Sequence, residues 1–100
     1  MRKYEIMFII KPTLSEDEIT KVANNFKETL ETFGSNVTSV DAWGQRSLAY
    51  DIKMGSEEFK SGYYFVYQVE AENDAGIKEF ERLSGISADM IRHLIIRKED

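Results

Sequence analysis

Residues 43–53, WGQRSLAYDIK, gather an indole, a guanidinium and a phenol around one glycine: Trp43, Arg46 and Tyr50 about Gly44. Such a set could stack with a base and hold a phosphate in two hydrogen bonds, because a guanidinium is planar and presents a fork of donors. The same residues also suit an edge strand with one bend. There Arg46 is merely solvated and Trp43 packs, the commonest use of a lone tryptophan. Both readings stand for Arg46, and packing is the expectation for Trp43. His93, the one histidine, reads as an exposed or satisfied strand residue.

Other chemistry finds no support. No serine is paired with a base, no glycine-rich loop opens a helix to cradle phosphate, and no carboxylate pair stands outside a helical face. The absence of cysteine removes disulfides, thiolate zinc sites and thiol nucleophiles together. A metal site would have to be built almost wholly from carboxylates, which soft and borderline metals do not favour. The expectation is a protein that is not an enzyme, with no metal and no cofactor.

The 100 residues, 42% hydrophobic and 31% charged, fit one soluble domain spanning residues 1–100. No run approaches the roughly 20 apolar residues of a membrane span, and Tyr4-Glu5 breaks any signal-peptide pattern, so a cytosolic chain is expected. Thirteen basic against 18 acidic residues give a formal charge of −5, which as a sum argues against nucleic acid. Where the basic residues lie matters more.

Their places follow from the elements. Residues 3–10, KYEIMFII, alternate with Tyr4, Ile6, Phe8 and Ile10 on one face. Ser15 and Glu18 form a capping-box pattern ahead of Ile19, Val22, Ala23, Phe26, Leu30 and Phe33, an amphipathic helix stopping at Gly34. A strand follows over residues 37–53, with Leu48, Tyr50 and Ile52 alternating against Ala49, Asp51 and Lys53. Gly44 marks a bulge at which its parity can change. Residues 54–62, MGSEEFKSG, suit a long hairpin loop, and residues 63–71 are strongly β-prone. Asn73 can cap a second helix carrying Ile77, Phe80 and Leu83 and closed by Gly85, and residues 90–98 form the last strand.

The order strand, helix, strand, strand, helix, strand is the α+β ferredoxin-like βαββαβ sandwich: a four-stranded antiparallel sheet with two helices on one face. Strands one and three are central, with strand four beside one and strand two beside three. Arg97 and Lys98 then meet Arg2 and Lys3 at one corner, while much of the acidic excess sits on the first helix. That corner suits a phosphate backbone, although charged strand ends also serve simply to discourage edge pairing.

The RNA-recognition module shares this topology and reads bases with third-strand aromatics. In SGYYFVYQ, residues 61–68, displaying Tyr63 and Phe65 on the open face would turn Gln68 and Glu70 into the core, which is costly. The cheaper register buries Tyr63, Phe65, Tyr67 and Val69. The open face then shows Met7, Ile9, Tyr64, Val66 and Gln68, joined by Ile95 and partly covered by the hairpin carrying Phe59. So apolar a surface suits contact with another protein, a second copy included.

With these residues in order, RKYEIMFIIKP, WGQRSLAYDIK, SGYYFVYQVE and IRHLIIRK, the chain resembles, over essentially its whole length, the family of the sixth protein of the bacterial small ribosomal subunit. The resemblance implies a structural ribosomal protein of the cytoplasm, not an enzyme. It also implies binding to the central domain of small-subunit ribosomal RNA together with the eighteenth protein of that subunit, a basic heterodimer partner. Arg2, Lys3, Arg46, Arg92, Arg97 and Lys98 are then the candidate RNA contacts, and Met7, Ile9, Tyr64 and Val66 the candidate partner contacts. Glu57 and Glu58 keep the hairpin off that RNA list. The chain ends at Asp100, so no contact through an extended tail is carried over.

Overall fold

A computed structural model describes residues 2–98. Strand β1 (Arg2–Ile10) leads into helix α1 (Glu16–Thr32). The long hairpin of β2 (Ser35–Met54) and β3 (Glu57–Ala71), helix α2 (Ala75–Ile86) and strand β4 (Met90–Lys98) follow. The strands are antiparallel throughout, in the order β2-β3-β1-β4. This is the expected ferredoxin-like sandwich. Among the described residues no helix is long and apolar enough to cross a membrane.

The core lies between the sheet and the helices because alternate strand residues and one stripe of each helix are apolar. Tyr4, Ile6, Phe8 and Ile10 of β1 meet Ile19, Ala23, Phe26 and Leu30 of α1 and Ile77 and Phe80 of α2. Phe8 is fully buried at its centre, with its ring 5.0–5.9 Å from those of Phe26, Phe65, Tyr67 and Phe80. The Tyr67 hydroxyl donates to the Ala23 carbonyl at 2.7 Å, and burial pushes its pKa well above the usual phenol range. Tyr63 and Phe65 pack on the same side, so the expected parity of β3 holds.

The ends of α1 follow the sequence. Ser15 and Glu18 close a reciprocal capping box, and the Gly34 N–H donates to the Glu31 carbonyl. Helix α2 differs in detail. Asn73 Oδ1 accepts from the Ala75 N–H at 2.9 Å, one residue ahead of the helix's own N-cap, Asp74, and the helix runs through Gly85 to Ile86.

The larger departure is the hairpin. In place of a loop over residues 54–62, β2 and β3 pair again, after an interruption at residues 48–51, up to a tight turn at Gly55-Ser56, with Met54 opposite Glu57 and Ile52 opposite Phe59. Polar composition misled here because the β3 half of this arm is solvated on most of its length, whereas pairing needs only backbone. The arm bends where the register shifts between Ser47 and Ile52. Ile52 and Phe59 are buried although they lie outside the main core.

Candidate nucleic-acid interface

The face of the sheet away from the helices carries Arg46, Arg92 and the exposed apolar residues of β4, and two irregularities of β2 set what that strand shows there. Val37 lies opposite the buried Val69. Thr38 is then skipped, so that Ser39 faces Gln68. A second shift sets Ala42 opposite Phe65 but Gly44 opposite Tyr64, leaving Trp43 as the extra residue of a bulge. Gly44 has φ +79°, the left-handed region that glycine enters without a Cβ penalty. Because side chains alternate with period two, one inserted residue exchanges the faces of everything after it. Arg46 pairs with Gly62 and shares the open face with Tyr64; the two shifts cancel, so it stands on the same face that unbroken alternation from Val37 would give, whereas Trp43, the extra residue, is brought to the open face.

Trp43 is not the packing residue expected from its type. It is 41% exposed, its ring parallel to that of Tyr64, with centroids 6.1 Å apart and 6° between planes. The indole N–H donates to Asp41 Oδ2 at 2.9 Å. Arg46 Nε donates to the Trp43 carbonyl at 3.2 Å. The bulge thus holds an aromatic pair and a guanidinium together.

The hairpin arm reaches the other side of the same face. The guanidinium carbon of Arg92, on β4, lies 5.7 Å from the centroid of the Tyr50 ring on β2, although β3 and β1 separate those strands in the sheet. Tyr50 is therefore an exposed contact of Arg92. Bare backbone at Gly62 accommodates the bend: a Cβ there would stand 2.3 Å from Ile9 Cγ2 and 3.5 Å from Ile91 Cδ1.

This packing corrects the expected partner contacts. Ile9 and Val66 keep only 8% and 6% of their surface, because the open face is partly covered at the hairpin end. Both are nearly covered in the free chain, whereas Met7 and Tyr64 remain half-buried. Ile95 is corrected too: opposite Ile6, it packs against the core. Leu94 and Ile96, which sequence reasoning passed over, take the open-face positions and are 54% and 45% exposed. Alternation counted from Arg92 would have found them. With Met7, Ile9, Arg92 and His93, Leu94 lines a shallow groove of about 280 Å³.

The basic corner is brought together but split. Strand pairing sets Lys3 opposite Lys98 and Arg97 opposite Tyr4, as expected. The pleat sends Lys3 and Lys98 to the open face, and Arg2, opposite the buried Ala71, to the helix side with Arg97. Lys98 is engaged already: its Nζ donates to Gln68 Oε1 at 2.6 Å and lies 3.8 Å from Glu5 Oε1. Gln68 Nε2 in turn donates to Glu5 at 2.9 Å. His93 is satisfied on the helix side, with Nδ1 3.2 Å from Ser84 Oγ and its ring edge-on to Phe80.

Fold and surface define a small α+β sandwich with one sheet face committed to its core and the other, bearing arginines and apolar side chains, left for contact. A family model described as Ribosomal protein S6 matches residues 3–97, and the chain belongs to that family. It is similar to the 30S ribosomal protein S6 of Thermotoga maritima, at 28% identity and a TM-score of 0.88, over 97% of this chain and 87% of that one. Its role is accordingly that of a structural component of the small ribosomal subunit, a family role that is not enzymatic.

Proposed function

We infer that the chain binds the central domain of small-subunit ribosomal RNA through its open sheet face, jointly with the eighteenth small-subunit protein. The observation that carries this reading is the convergence of exposed Arg46 and Arg92 on the one sheet face that no helix covers. Both guanidiniums are braced, by the Trp43 carbonyl and by the Tyr50 ring, which lowers the entropic cost of fixing them on phosphate. Lys3, with Arg2 and Arg97 on the other side of the corner, adds charge; Lys98 adds less, because Glu5 offsets it. The strip of Met7, Leu94 and Ile96 is the docking surface for the partner protein, with Tyr64 at its border. A basic partner supplies the phosphate neutralisation that a chain of net charge −5 lacks.

The test is a salt titration of binding to a central-domain junction fragment, with and without the partner. Binding that requires the partner, with a slope reduced by about one when Arg46 or Arg92 becomes Ala, supports joint recognition. An unchanged slope removes the arginines from the interface. Self-association in sedimentation, with no RNA binding, replaces this reading by a homodimer closed over Leu94 and Ile96.

A further inference from the structure

The bulge at Trp43 holds more than a phosphate contact requires. An exposed lysine would supply charge alone. Here an aromatic surface lies beside the guanidinium, and its orientation is fixed twice, by the indole hydrogen bond to Asp41 and by the parallel Tyr64 ring. Parallel rings with centroids 6.1 Å apart are offset, so Tyr64 covers only part of the indole. The glycine bulge turns this large apolar side chain outward and leaves it 41% exposed.

We propose that Trp43, Tyr64 and Arg46 form a seat for one unpaired nucleotide, whose base stacks on the exposed part of the indole while the free end of the Arg46 guanidinium holds an adjoining phosphate. This deepens the RNA-binding reading above and rests on it. A base inside a duplex has both faces covered by its neighbours, so only a bulged, looped or terminal nucleotide can stack on a side chain. Among the described residues Arg46 makes one hydrogen bond, through Nε, so its terminal amino groups keep their donors for an oxygen ligand. Stacking accepts any base, since every base has a π-face. The seat therefore selects an unpaired position and not a sequence.

Trp43 is the chain's one tryptophan, so its emission reports on this site alone. The full chain is titrated with a junction fragment containing unpaired nucleotides and with a fully paired duplex of equal length, the partner protein being added where binding needs it. Emission is read as the difference between wild type and Trp43→Leu. Saturable quenching by the junction alone is expected. Trp43→Leu should weaken binding about tenfold without changing the salt slope or the thermal midpoint, Trp43→Phe should recover part of that loss, and Arg46→Ala should lower the slope by about one. Salt-dependent binding with unchanged emission and a neutral Trp43→Leu overturns the seat and leaves the RNA-binding reading standing. Loss of all RNA binding in the wild type sinks both. An emission change produced by the partner protein without RNA gives the indole to protein docking and likewise overturns the seat.

Discussion

The two faces of the sheet are made by the same four strands, and they obey different rules. On the helix side, Phe8, Tyr67, Phe80, Ile6 and Ile10 are essentially sealed from solvent, and position is enforced by volume. On the open side, Trp43, Leu94, Ile96 and Tyr50 keep 41–65% of their surface, and position is enforced by backbone devices: a glycine bulge, a bare glycine under a bend and an arm that folds back to β4. A packed face tolerates little change because its atoms are in contact. An open face tolerates side-chain change but depends on where each strand gains a residue. The first stores stability and the second stores recognition.

The contrast is broken most sharply at Phe8. Phe8→Ala removes the ring that joins both helices to the sheet and should cost about 3–5 kcal/mol in denaturant unfolding. A loss below 1 kcal/mol would mean the helix layer is not anchored there. Next is Gly62→Ala, on the open side, where the new Cβ meets Ile9 and stands 3.2 Å from the Ile10 carbonyl oxygen. About 1–3 kcal/mol should be lost, with faster amide exchange in residues 48–62; unchanged exchange would show that the arm does not depend on this close approach. Gly44→Ala meets no atom within 4 Å, yet its φ of +79° should cost about 1–2 kcal/mol. It should also weaken RNA binding by loosening Arg46.

Leu94→Ser with Ile96→Ser should sharpen the comparison from the other side. Folding should change by no more than about 0.5 kcal/mol for each exposed site, while co-sedimentation with the partner protein falls; a large unfolding effect would make this strip part of the core. The smallest effect concerns acidity at the hairpin. A side-chain hydrogen bond with Asp51, and its negative charge, hold the Glu58 carboxyl above its usual range. The folded state there binds a proton more tightly than the unfolded one, so the contribution is present below the ordinary carboxylate pKa and is lost as pH rises through the raised value. Amide protection in the arm should fall slightly on going from acid to neutral pH, and Glu58→Gln should remove that dependence.

The elements, their order and the parity of β1 and β3 were legible because each rests on local repetition. Tyr4, Ile6, Phe8 and Ile10 alternate, Ile19 to Leu30 recur at helical spacing, and Gln68 and Glu70 forbid the reverse register of β3. Even the meeting of Lys3 with Lys98 follows from topology alone. The apolar strip was only half legible. Met7 and Tyr64 keep surface on the open face as expected, whereas Ile9 and Val66 do not, and Ile95 exchanges places with Leu94 and Ile96.

What the sequence determined by itself was therefore every property fixed by a period: the order of the strands and helices, which helix stripe is buried and how the chain is wound, though not the pairing of residues 54–62. What only the tertiary structure decided was that Trp43 points outward, that Lys98 is shared with Gln68 and Glu5, and that Tyr50 crosses to Arg92. The physical reason is that a period-two pattern carries no record of an inserted residue, and contact between residues 42 positions apart depends on how sharply an arm bends. Gly44 announces that a bulge is possible, but the pairing of β2 with β3 fixes where the extra residue goes, and with it the outward turn of Trp43 beside Tyr64.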